Sequence, residues 1–260
     1  MEKVNNITII GSGNVATQLG IELFNKGFNI NGIISRNEYS GKKLANKTNS
    51  RLILFNQNAI ENSDMVLVSL KDDSYLNLIG DINLNNKFIV HTSGSLDSNF
   101  LKNYSSKWGC LYPLQSIHKN LSTNWKKVNF FLEASSNKEL DKLIDICDKL
   151  SSKYNVVNSV QRQKIHLSAV AVSNFTYRLL STVRSYCEEN KIEYKLFKNL
   201  IQISIDNTFK DDVFKLQTGP ASRKDYDLIE KHIDILREND NLKDIYELFT
   251  KQILNQHHEL

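Results

Sequence analysis

Several large functional classes leave marks that this sequence does not carry. Cysteine is scarce: Cys110, Cys147 and Cys187 are the three in 260 residues, scattered and odd in number. No pair has the spacing of zinc ligands, and such a set does not make a disulfide framework, so neither a metal site nor disulfide bonding is expected. No apolar run approaches the ~20 residues that a membrane-spanning helix needs. The opening Met-Glu-Lys-Val-Asn-Asn runs straight into a short apolar strand, with no signal-peptide core and no small-residue cleavage site. A cytoplasmic location without a membrane partner is the expectation, and the terminal Glu259-Leu260 is not read as a retrieval signal. An excess of one charge is also missing. The 33 basic and 29 acidic residues leave a net +4. There is no dense Lys/Arg stripe, so nucleic acid is not an expected partner. Gly/Ser linkers, repeats and low-complexity tracts are absent.

What the chain has is 40% hydrophobic residues, enough for a packed core. Short apolar runs at 6–10, 29–35, 51–55, 65–70 and 87–91 alternate with helical stretches, the first at 14–26 with Val15, Leu19 and Leu23 on one face. Further strands are expected at 107–111 and 128–133, a helix at 137–152, and a closing strand at 154–160. This alternation predicts a Rossmann-like parallel sheet with crossover helices. From about 161 the period becomes helical throughout, over 162–190, 195–215 and 225–256, with Thr218-Gly219-Pro220 as the clearest punctuation. The predicted organisation is an α/β domain over 1–160 followed by an all-α domain over 161–260.

Gly11-Ser12-Gly13-Asn14-Val15-Ala16 fits G-x-G-x-x-A, and it lies between a predicted strand and a predicted helix. Gly11 permits the tight turn, Gly13 lets backbone approach a pyrophosphate, and Ala16 allows close packing of helix on strand. The helix N-terminus offers free N–H groups and a positive dipole end. At the end of the second strand, where an NAD site carries Asp or Glu, stands Ser35-Arg36-Asn37. The Arg36 fork can pair with a 2′-phosphate, with Ser35 and Asn37 as further donors, so NADP(H) is the expected cofactor. A solvated surface arginine is the plain alternative.

Four later motifs make a family resemblance specific: His91-Thr92-Ser93-Gly94-Ser95, Tyr112-Pro113-Leu114-Gln115-Ser116, the helical run from His166 to Phe175, and Thr218 to Asp225. With the first hexamer they resemble, over nearly the whole chain, a family of NADP oxidoreductases that join a Rossmann-like domain to a helical domain of unknown function. That family is similar to pyrroline-5-carboxylate reductase, prephenate dehydrogenase and the β-hydroxyacid dehydrogenases, and one branch acts as an alternative ketopantoate reductase. The resemblance implies NADPH-dependent reduction of a small 2-oxo acid, ketopantoate first, with a cyclic imine as the alternative. It also implies a homodimer formed through the helical domain. Two positions depart from the pattern. Relatives often carry His where Tyr112 stands. The β-hydroxyacid and usual ketopantoate enzymes place a catalytic Lys four residues before the helix Asn, where this chain has Val170. The missing Lys also keeps open a non-catalytic NADP(H)-binding sensor.

Carbonyl reduction needs a hydride, a proton donor and a grip on the substrate acid. Ligands of open α/β sheets sit beyond the carboxyl ends of the strands. Leu70, Lys71 and Ser93 are therefore expected to face the cofactor, and Gln115 and Ser116 the substrate. His166 is the expected proton donor because imidazole titrates near neutrality; a packed histidine is the competing reading. Asn174 is expected to orient the nicotinamide amide or the substrate oxygen, against a buried structural Asn. Arg223 is the expected carboxylate anchor, against a salt bridge to Asp225 or Asp227.

Overall fold

A computed structural model of the chain describes residues 3–53, 60–70, 84, 86–210, 212 and 215–256. The chain divides into two compact units, Met1–Val170 and Ala171–Leu260.

The first unit is built on one eight-stranded sheet. Its strands are β1 (Asn6–Ile10), β2 (Asn29–Ile34), β3 (Leu52–Ile53), β4 (Met65–Val68), β5 (Phe88–His91), β6 (Trp108–Leu114), β7 (Asn129–Ala134) and β8 (Lys153–Val156). They lie in the order β3-β2-β1-β4-β5-β6-β7-β8. The order reverses between β1 and β4, which is the switch point of a doubly wound sheet. Strand alternation sorts the apolar residues into two layers. Ile7, Ile9, Met65, Leu67 and Val90 face one way and pack with Leu19 and Leu23 of α1 (Asn14–Asn25) and Leu143 and Ile146 of α3 (Asn137–Leu150). Ile10, Val66, Val68 and Ile89 face the other way, with Leu101 and Trp108. Because both faces are covered, these strands read as nearly continuous apolar runs.

The sheet is parallel except between β6 and β7, which pair antiparallel with Tyr112 opposite Phe131. A sequence pattern of strands and helices predicts crossovers throughout. Here the connection over 115–128 holds only a short 3-10 turn, Trp125–Lys127, which cannot carry the chain back across the sheet. Pro113 is accommodated because β5 pairs with β6 only as far as Cys110. Beyond that point one edge of β6 needs no N–H. The expected strand at 51–55 is the two residues of β3, and 54–59 lie outside the described residues.

Two further helices complete the first unit, α2 (Glu38–Lys47) and α4 (Ser159–Ala169). The sequence reading starts the last helix at 162. It starts at Ser159, because Asn158 and Gln161 form a reciprocal capping box, with Asn158 accepting from the Gln161 N–H at 2.9 Å and Gln161 from the Asn158 N–H at 3.1 Å.

After a π turn at Val170–Phe175, the second unit consists of α5 (Thr176–Glu189), α6 (Lys198–Asn207), α7 (Tyr226–Ile235) and α8 (Asp240–Gln256). No strand occurs among its described residues. The helix expected over 162–190 is thus interrupted by six residues of i→i+5 geometry. The helix expected over 225–256 is two helices: α7 ends at Ile235, and the Asn239 side chain accepts from the Leu242 N–H at 3.1 Å to start the next. No helix among the described residues is long and apolar enough to cross a membrane.

Candidate functional site

The turn after β1 is shaped by what Gly11 lacks. Its φ is +117°, and an added methyl would lie 2.1 Å from the Ser69 carbonyl oxygen. Both facts exclude a side chain there. Gly13 differs, since its missing side chain opens on free space with nothing within 4 Å. It is the N-cap of α1 and provides no side-chain cap. The first N–H groups of a twelve-residue helix are therefore left for an external acceptor. This is the geometry a pyrophosphate needs.

A cleft of about 530 Å³ opens at this point, at the carboxyl ends of β1, β2 and β4. The turn residues Gly11, Ser12, Gly13, Asn14 and Val15 form its floor. Ser35, Arg36 and Asn37 close one end, and Leu70 lies against the turn. Three hydroxyls meet beside Arg36: Ser12 Oγ is 2.7 Å from Ser35 Oγ and 2.6 Å from Ser40 Oγ. Asn37 does not aim its side-chain oxygen at a ligand. It caps α2 by accepting from the Ser40 N–H at 2.9 Å. Glu38, the nearest carboxylate in sequence, is paired with Lys42, which lowers its pKa, and repulsion of an anion at Arg36 is reduced accordingly.

A second cluster forms further along the same sheet edge. Gly94 follows β5, Tyr112 stands near the end of β6, and His166 lies on α4. The Tyr112 hydroxyl is 3.0 Å from His166 Nδ1, and the rings meet edge-on with centroids 5.7 Å apart. A methyl on Gly94 would lie 2.6 Å from His166 Nδ1 and 2.8 Å from Tyr112 Cζ, so no side chain fits beside the pair at this position. Burial pushes the Tyr112 phenol up to about 12. The phenol therefore keeps its proton across the neutral range.

Beneath the pair runs a buried polar network. Arg162, one helical turn before His166, is fully enclosed and pairs with Glu133 of β7. Its guanidinium also donates to the Leu96 carbonyl oxygen and, at 3.2 and 3.1 Å, to Ser98 Oγ and Ser159 Oγ. Both hydroxyls donate to Glu133 Oε2 in turn, at 2.7 and 2.8 Å. His91 Nε2 is 2.9 Å from Ser98 Oγ, and burial, aided by the Arg162 charge, lowers the His91 pKa to about 3. His91 is thus a neutral structural group, and α4 is clamped to the sheet by a buried ion pair whose two terminal guanidinium nitrogens are bonded, while Arg162 Nε has no partner among the described residues.

Residues 6–94 match the family described as NADP oxidoreductase, coenzyme F420-dependent, and residues 128–253 match a domain of unknown function, DUF2520. A crystal structure of an NADP oxidoreductase from Bacteroides fragilis is 30% identical, with a TM-score of 0.88, covering 97% of this chain and 98% of that one. The chain belongs to this NADP oxidoreductase family. The fold is shared with more distant structures. A reductive aminase from Aspergillus terreus in complex with NADPH and ethyl levulinate has 12% identity and a TM-score of 0.70, with 99% and 95% of the two chains covered. A pyrroline-5-carboxylate reductase from Coxiella burnetii has 16% identity and a TM-score of 0.55, with 99% and 98% covered. No curated protein matches the sequence.

The structure of the oxidoreductase brings most of the sequence-derived cofactor residues into one cleft, but not all. Ser93 lies outside the cleft lining. Its hydroxyl accepts from the Ser95 and Leu96 N–H groups, each at 3.2 Å, which is a turn-capping role. Lys71 is outside the described residues. Gln115 is exposed and folds its carbonyl oxygen back onto the Ser116 N–H at 2.9 Å, while Ser116 Oγ sits 3.4 Å from His118 Nε2. Neither lines the cleft. Asn174, on the π turn of the second unit, is exposed rather than buried. Arg223, also in the second unit, is exposed, and among the described residues no carboxylate lies within ion-pairing distance of it. Asp225 is occupied in capping α7 through the Leu228 N–H at 3.2 Å. Sequence reasoning missed Lys119, which lines the cleft from the β6–β7 connection, where its carbonyl oxygen accepts from Gln18 Nε2 at 2.9 Å. It also missed Ser40, and it named Tyr112 as a motif residue and a departure from the family pattern without pairing it with His166. No local pattern marks Lys119, because the long connection that delivers it has no period.

Proposed function

We propose that this NADP-dependent oxidoreductase reduces the C=O bond of a small 2-oxo acid, with ketopantoate the leading substrate. The observation that supports the cofactor half of this reading is the single cleft that joins the Gly11–Val15 turn to Arg36. Its residues fit NADPH: open space at Gly13 and an uncapped helix end for the pyrophosphate, and Arg36 with the Ser35 and Ser40 hydroxyls for the 2′-phosphate. When bound, NADPH supplies the hydride. His166 is the proposed proton donor, at the carboxyl edge of the same sheet. On chemistry alone, Asn174 and Gln115 are proposed to orient the substrate, Ser116 to bond it, and Arg223 to anchor its carboxylate. We also propose a cytoplasmic homodimer, with self-association through the helical unit.

A cyclic imine of the pyrroline-5-carboxylate type is the second reading, and Val170 favours it. An imine nitrogen takes up its proton before reduction and needs no lysine at that position, whereas a carbonyl oxygen must be protonated as charge develops. The test is a panel of 2-oxo acids and cyclic imines with NADPH absorbance as the readout. Ketopantoate is expected to be consumed fastest. Faster consumption of an imine moves the assignment to the second reading. Bound NADPH with no oxidation by any member would leave the non-catalytic sensor.

A further inference from the structure

Within the reductase reading, we propose that Tyr112 is the positioning residue for His166: it holds the ring by Nδ1 and leaves Nε2 as the atom that carries the transferable proton. Tyr112 is 8% exposed, and among the described residues its hydroxyl meets one polar partner, His166 Nδ1 at 3.0 Å. If Nδ1 carried the proton in the neutral ring, the phenol hydrogen would be buried without an acceptor, which is unfavourable. The phenol therefore donates, Nδ1 accepts, and the neutral ring carries its proton on Nε2, which has no partner among the described residues.

A hydroxyl is also an acceptor. When His166 is an imidazolium, the same Tyr112 oxygen receives the Nδ1–H, so the ring keeps one orientation in both states. In the reductive step the substrate carbon gains the hydride and the C=O pair moves onto oxygen. That oxygen takes the proton from Nε2 of the His166 imidazolium, and the ring is left neutral for the moment with its remaining proton on Nδ1, still bonded to the Tyr112 oxygen. Water then returns a proton to Nε2. The couple is held from two further sides. Gly94 lies alongside, where even an added methyl would meet the ring, and the Arg162–Glu133 pair fixes α4 one turn earlier.

The test uses the full-length protein labelled with ¹⁵N-histidine at about pH 8, where an ordinary imidazole is neutral, and needs no cofactor. His166→Ala assigns the His166 signal among the six histidines. The natural protein is expected to show the Nε2–H tautomer, and Tyr112→Phe a mixture of tautomers. In turnover, Tyr112→Phe should lower kcat by about 10²-fold, the scale of a misplaced group, with NADPH affinity unchanged. Gly94→Ala should act in the same direction by wedging the pair apart. Tyr112→His, which restores a polar ring, should recover part of kcat. An unchanged His166 tautomer in Tyr112→Phe, or an unchanged kcat in that variant, overturns the proposal. If the natural protein oxidises NADPH with no substrate, the reductase reading fails by itself, and the tautomer measurement still decides whether Tyr112 sets the His166 ring.

Discussion

Ile7, Ile9, Leu19, Leu23, Ile33 and Leu67 of the sheet unit are fully enclosed, whereas Phe175, Leu196, Leu200 and Phe209 of the helical unit are between 62% and 88% exposed. Among the described residues of the second unit, the buried apolar side chains are Cys187, Ala221, Ile229 and Leu236. A doubly wound sheet has two faces, and crossover helices cover both, so its core closes on itself. Amphipathic helices have one apolar stripe each and need something laid against it. The first unit therefore holds a closed core and the cleft at the glycine turn within itself. The second presents apolar surface of the kind that marks an interaction face, which supports the proposal of a second copy as its cover.

Removing a partner inside the sheet unit should have the largest effect on this contrast. Glu133→Ala leaves the enclosed Arg162 charge without its counter-ion, and unfolding in urea should show a loss of about 3–5 kcal/mol. A loss below 1 kcal/mol would mean that solvent reaches Arg162. Leu67→Ala, at a site with no exposure, should cost about 2–5 kcal/mol in the same measurement.

Arg36→Ala tests the cleft and not the core. A charge-assisted contact of about 1.5–3 kcal/mol implies tenfold or more weaker NADPH binding by calorimetry, with NADH nearly unchanged and the unfolding curve in place. Equal loss for both cofactors would remove Arg36 from the 2′-phosphate.

The His91 prediction concerns acid. In the folded chain this group stays neutral down to about 3, while an unfolded histidine protonates near 6.5. Between those values the unfolded chain binds more protons, so stability falls as pH is lowered, by up to about 1.4 kcal/mol per pH unit. His91→Gln should flatten that slope in urea titrations from neutral to mildly acidic pH.

Leu200→Ser should have the smallest effect on folding. At concentrations where the chain is monomeric it should change the unfolding free energy by no more than about 0.5 kcal/mol, while weakening self-association in sedimentation. Unchanged sedimentation would take this face out of the proposed homodimer.

Much of the first unit is legible in the sequence. Gly11, Gly13 and Ala16 sit at fixed offsets between a strand and a helix, and the period-2 and period-3.6 patterns are carried by neighbouring residues. Arg36 could be read because the fold class says what stands at the end of the second strand. The antiparallel β7 was not legible, because a fourteen-residue connection without a helix looks like any loop. The break at Leu236–Asn239 was missed because an Asn cap inside a helical pattern is a weak signal. The enclosed Arg162 reads in sequence as one more surface cation.

The sequence alone determined the layers, the glycine turn and the choice of cofactor, since each follows from residues a few positions apart and from the chemistry of single side chains. Only the tertiary structure decided that Tyr112 meets His166 across 54 positions, that Lys119 reaches the cleft, and that Glu133 neutralises Arg162. Those pairings depend on strand register and on where a helix lands against a sheet, and both are set by packing summed over the whole unit rather than by any local pattern.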